Sequence, residues 1–121
     1  PAGRARPAGQ TIEPVSVRAG AVQIALDLRL PPGYKRDAGT PATVREVKDG
    51  EQPILPFDAE EEIAWTVEVT ADEARTFDIT VYYCDSEEQR LCKVDDRRIT
   101  IPLQVADGGS DRVTIPYTVR D

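Results

Sequence analysis

Cys84 and Cys92 are the only cysteines in the chain, and they bracket seven mostly charged residues in VYYCDSEEQRLCKV, residues 81–94. Two thiols placed this way can exchange electrons, supply half of a metal site, close a hairpin, or stay free in a reducing compartment. An attacking thiolate needs a lowered pKa, from a helix N-terminus, a nearby cation or a closely spaced partner cysteine. Arg90 and Lys93 are the cations close by in sequence, while Asp85, Glu87 and Glu88 push the other way. A zinc site would need two further ligands, and the chain has no histidine, so no metal is expected. The hairpin clip asks least. Phe77–Tyr83 alternates as a strand, Leu91–Val94 begins its return, and hairpin stems can bring Cα atoms to the about 4.4–6.8 Å a disulfide needs. Cys84 and Cys92 are therefore expected as a disulfide, and as catalytic residues only if that pair is redox-active.

Other chemistry-bearing residues lack partners in sequence. Glu61 and Glu62 are adjacent carboxylates in DAEEE (58–62), a charged stretch that reads as a solvated loop, as does CDSEE (84–88). Ser16, Ser86 and Ser110 have no visible base, and neither a phosphate-cradling glycine loop nor a G-x-S-x-G elbow is present. No cofactor is expected. The formal net charge of −7 repels phosphate backbones and excludes nucleic acid as the first-choice partner, while the acidic runs could face a basic one. Neither run has the ligand spacing of a calcium loop.

The elements that must position these residues alternate with period two. AVQIALDLRL (21–30) puts Val22, Ile24, Leu26, Leu28 and Leu30 on one face. The same alternation runs through IAWTVEV (63–69), RTFDITVYY (75–83), RITIPLQV (98–105) and RVTIPYTV (112–119). Shorter strands are expected at TIEPVSVR, on an edge because Pro14 cannot donate to a ladder, at ATVREV (42–47), and around LCKV. Pro31-Pro32-Gly33 and Asp49-Gly50 mark turns. FDAEEEIAW could form one helical turn at most. Seven or eight strands with one dry face each predict an all-β, antiparallel sandwich, with a small closed barrel as the alternative. Residues 1–10 read as a flexible lead-in and 11–121 as one domain. The chain begins without Met or an apolar leader, reads as a piece of a longer one, and has no apolar run of the roughly 18 residues a membrane span needs.

Among the aromatics, Trp65 is in phase with Ile63, Val67 and Val69, which makes it a core residue; a sugar-stacking platform is the alternative. Tyr34 follows the Pro-Pro-Gly turn and either packs over the end of the fold or stands as a binding aromatic. Tyr82 and Tyr83 point to opposite faces, so one of them is partly exposed, and Tyr82 shares its face with Cys84. Tyr34 and Tyr82 are thus the candidate interaction surface.

Two segments resemble a known family. LRLPPGYKRDAGTPATVREV (28–47) is similar to the opening of the C-terminal β-domain of NHL repeat-containing proteins that also carry a thioredoxin-like domain. Leu30, Pro31, Pro32, Gly33, Tyr34 and Lys35 carry the likeness; Asp37 stands where the family has Asn, and Thr40-Pro41 replaces Ala-Pro. VYYCDSEEQRLCKVDDRRITIPLQV (81–105) is similar to that family's aromatic-Cys hairpin. The likeness covers roughly residues 12–119 and implies an immunoglobulin-like sandwich acting as a non-catalytic accessory domain. Its implied partner is a neighbouring propeller or thioredoxin-like domain of the same polypeptide. More distantly, the cysteine hairpin resembles the N-terminal domain of the thiol:disulfide interchange protein, which would make Cys84 and Cys92 an electron-shuttling pair. That family has a shorter spacer and an aromatic residue after its second cysteine, where this chain has Lys93.

Overall fold

The computed structural model describes residues 8–85 and 91–120, with Ala8 described by its backbone only. Among them are ten strands: β1 (Ala8–Thr11), β2 (Val15–Val17), β3 (Gly20–Arg29), β4 (Tyr34–Arg36), β5 (Ala42–Glu46), β6 (Leu55–Phe57), β7 (Ala64–Val69), β8 (Glu73–Asp85), β9 (Cys92–Val105) and β10 (Arg112–Thr118). β3, β7 and β10 form one sheet in the order β10-β3-β7. The larger sheet runs β1-β9-β8-β5-β6, with β2 also on β9 and β4 also on β8. Inward side chains of both sheets share one core: Val22, Ile24, Trp65, Val67 and Ile115 face Val44, Phe77, Ile79, Val81, Ile99 and Ile101. Trp65 and Phe77 meet edge to face across the layers, with ring centroids 5.1 Å apart. The period-two faces are the buried faces, and burial of apolar area on both holds the layers together.

Four features depart from expectation. The sheets are mixed: β1 and β2 run parallel to β9, and β10 runs parallel to β3. Alternation marks a dry face in either orientation, so it cannot report strand direction. There are ten strands where periodicity predicts seven or eight, because β1, β4 and β6 have only three or four residues each. LCKV and RITIPLQV, expected as separate strands, belong to one continuous β9. The charged residues between them are strand residues with cross-strand or inter-sheet partners. Thr80 Oγ1 donates to Asp96 at 2.6 Å, and Arg98 Nε donates to Asp78 at 2.8 Å. Of the lead-in expected over residues 1–10, Ala8, Gly9 and Gln10 lie in β1; residues 1–7 lie outside the described residues.

The two seams of the sandwich differ. On one side, Val17 of β2 bridges Ser110 just before β10, with the Arg18 N–H donating to the Ser110 carbonyl at 2.9 Å. Gly109 lies so close that a Cβ there would sit 2.4 Å from the Val17 carbonyl carbon, which explains a glycine at that position. The opposite seam, between β4–β6 and β3–β7, is open, so the sheets do not close into a barrel.

Candidate functional site

β8 and β9 form the longest hairpin, and its register sets Cys84 opposite Cys92. The Asp85 N–H donates to the Leu91 carbonyl at 3.0 Å, which makes the cysteines a non-hydrogen-bonded pair, the position where opposite Cα atoms approach most closely. Their Cα atoms are 4.0 Å apart and the sulfurs are joined. The expected clip is therefore present. Residues 86–90 of its loop, with Ser86 and Arg90, lie outside the described residues.

The two cysteines sit in different surroundings. Cys84 is buried, because β8 has β9 on one side and β4 on the other, where Lys35 is its register partner. Cys92, on the far strand, is exposed. The Asp37 carboxylate lies beside both: its ligand oxygen and the two sulfurs are all within 4.8 Å of one another. Asp37 is held there by its own N–H, which donates to the Tyr82 carbonyl at 2.9 Å, and by accepting from Gly39 N–H at 3.0 Å. Two sulfurs joined to each other offer no thiolate to a metal. A carboxylate at this distance also opposes thiolate formation once the bond is reduced. Nothing in the spacing of Asp37 to the cysteines signals this contact; it follows from β4 pairing with β8.

Tyr34 and Tyr82 fall on opposite faces of the large sheet. Tyr34 is half-buried on the inner face, edge-on to buried Tyr83 with centroids 5.4 Å apart, and Lys93 Nζ lies 5.2 Å from its ring centroid. Tyr82 is half-buried on the outer face, opposite Val94. Val94 is 52% exposed and Leu91, beside Cys92, is 57% exposed, so the hairpin end presents apolar surface next to the exposed cysteine. Trp65 is a core residue, only 6% exposed.

Polar side chains elsewhere tie strands together. Arg75 of β8 donates to both carboxylate oxygens of Glu46 in β5 and to Glu73. Its hydrogen bond is the main reason the Glu46 pKa is lowered. Asp78 is lowered chiefly by its bond from Arg98. Tyr117 is buried in β10 and donates to Asp95 of β9, while the Arg97 guanidinium lies 4.1 Å above its ring centroid. Burial, then the bond to Asp95, raises the Tyr117 pKa far above the phenolic range. This inter-sheet contact was not legible in the charged run DDRR (95–98), whose sequence gives no sign of a partner in β10. Among the described residues, no helix is long and apolar enough to cross a membrane. No protein-family model matches the sequence, and no curated protein matches it either.

Proposed function

We propose that this chain is a non-catalytic interaction domain of a larger protein, with Cys84–Cys92 clipping the hairpin that presents its contact surface. The observation that carries this reading is the exposure of Val94 opposite half-buried Tyr82, with Leu91 also exposed at the hairpin end. Apolar groups held in water by a cross-linked strand pair are suited to burial against a partner. The resemblance to NHL repeat-containing proteins supplies the partner: a propeller or thioredoxin-like domain of the same polypeptide. The two-layer sandwich agrees with the immunoglobulin-like class that resemblance implies, with the parallel edge strands as its own variation. Titrating the 121-residue chain with those neighbouring domains tests the reading. Saturable association that L91K/V94K abolishes, with unchanged thermal stability, is expected; no association of the parent protein's domains with this one would overturn it.

A second reading rests on the unequal exposure of the two cysteines. A thioredoxin-like partner's thiolate would attack exposed Cys92 Sγ, forming a mixed disulfide and releasing Cys84 as the thiolate, which takes up a proton. The partner's second thiol, deprotonated, would then displace Cys92, leaving the partner oxidised and this pair as two thiols. The Asp37 carboxylate works against that route by penalising the Cys84 thiolate. Carbohydrate recognition is the weakest reading, since Trp65, Tyr83 and Tyr117 are packed in the core and leave Tyr34 and Tyr82 on opposite faces.

A further inference from the structure

Opening the Cys84–Cys92 bond would create a donor set that the oxidised chain lacks. One carboxylate oxygen of Asp37 and the two sulfurs lie within 4.8 Å of one another. The cysteines alone leave a metal two ligands short. The pairing of β4 with β8 supplies one of them, and water can be the other. A tetrahedral zinc held by two sulfurs and one oxygen sets those atoms about 3.5–3.8 Å apart. Asp37 is within reach of that spacing, and side-chain rotation brings the sulfurs to it once they are no longer joined. The Asp37 backbone bond to Tyr82 and its acceptance from Gly39 fix the carboxylate. A carboxylate has about four lone-pair sites, so the bond from Gly39 does not exhaust it. Burial runs from Cys84, which is buried, through half-buried Asp37 to exposed Cys92, so an ion has an entry path from the Cys92 side. Lys35, the register partner of Cys84, stands beside the set and balances the negative charge that two thiolates and a carboxylate leave on a divalent ion.

We propose that Cys84, Cys92 and Asp37 bind a zinc-class divalent ion when the disulfide is reduced. The inference goes beyond the interaction reading and does not depend on it. A dithiol breaks the S–S bond: its own sulfurs join as a disulfide, and its two hydrogens, with two electrons, pass to Cys84 and Cys92. The ion then takes both sulfurs as thiolates and releases two protons to solvent, with no further change of oxidation state. Two sulfur donors select zinc over magnesium or calcium, which seek oxygen. Disulfide and metal are thus alternative clips of one hairpin. Each holds the stems of β8 and β9 together, one in the oxidised chain and the other in the reduced chain.

The 121-residue chain, reduced with a phosphine that leaves as its oxide and desalted without oxygen, tests this by titration with Co²⁺ and then Zn²⁺. A single cobalt per chain is expected, with thiolate-to-cobalt charge-transfer absorption, the d–d bands of tetrahedral cobalt, and displacement by zinc. Asp37→Asn keeps the side-chain shape and an acceptor for Gly39. It should weaken binding by at least about tenfold, since even the loss of a group behind a ligand costs that much. Zinc should raise the urea midpoint of the reduced chain, and raise that of Asp37→Asn less. Asp37 is distant from the cysteines in sequence, so its effect separates a folded site from two loose thiolates. Equal affinity in Asp37→Asn, equal binding by the oxidised chain, octahedral cobalt bands, no rise in the midpoint, or no saturation would each overturn the proposal. Domain association is measured on the oxidised chain, in which this site does not form, so failure here and failure of that reading are separate results.

Discussion

Tyr117 is a buried phenol whose hydroxyl donates to Asp95 on the facing sheet. Its pKa in the folded chain is raised, first by burial and then by that bond. The stability it contributes is complete below the unfolded phenol's pKa of about 10, and is lost as pH rises from there toward the folded value. Tyr117→Phe should cost about 1.5–3 kcal/mol at pH 7, measured by urea unfolding, because a bond to a charged acceptor is lost. The same variant should flatten the decline in stability above about pH 10. Carboxylates act at the other end. Glu46 and Asp78 have lowered pKa values because Arg75 and Arg98 donate to them, so their contribution is present above the unfolded carboxylate range and lost as pH falls through the folded values. Trp65 gives a third test. Its Nε1 is buried with no hydrogen-bond partner among the described residues. Trp65→Ala should cost about 3–5 kcal/mol, whereas Trp65→Phe should cost clearly less, since it keeps most of the packing and removes the orphaned donor. Trp65 could be placed in the core from its phase alone. The Tyr117–Asp95 contact could not, because it joins residues of different sheets.

Among the elements, β9 organises the large sheet: β8 pairs along nearly its whole length on one side, while β1 and β2 share the other. Pro14, which has no N–H, lies in the gap between those two short strands. The dry faces of β3, β7, β8 and β10 were legible because a single period describes each of them. The break expected between LCKV and RITIPLQV was an error with a physical cause: Asp95, Asp96, Arg97 and Arg98 look solvated until Thr80, Asp78 and Tyr117 are seen opposite them. β4, which brings Asp37 to the disulfide, is too short for any period to reveal. Gly109→Ala tests the stitched seam. The added methyl would lie 2.4–2.9 Å from Val17 backbone atoms, so the loop or β2 must shift, costing about 1–3 kcal/mol in a urea titration. A change within about 0.5 kcal/mol would mean that the β2–β10 junction yields freely.

At the scale of the whole molecule, the sandwich is stitched along one seam and open along the other, with the disulfide across the stems of its longest hairpin. Pairing that closes so short a loop should stabilise the fold by about 2.5 kcal/mol, so C84S/C92S should remain folded but less stable by about that amount. The clip was legible because it depends only on spacing and strand phase; the exposure of Leu91 and Val94 was not, since it depends on what packs against the hairpin end. The central claim is that Cys84–Cys92 holds a surface and does not carry electrons. Equilibrating the oxidised chain with a thioredoxin-like dithiol, and reading the reduction potential of the pair, tests it most directly. The buried Cys84 beside the Asp37 carboxylate is a poor leaving thiolate, so the account predicts slow exchange and a potential below about −300 mV. Exchange within seconds and a potential above about −230 mV would contradict it and make the hairpin a redox module.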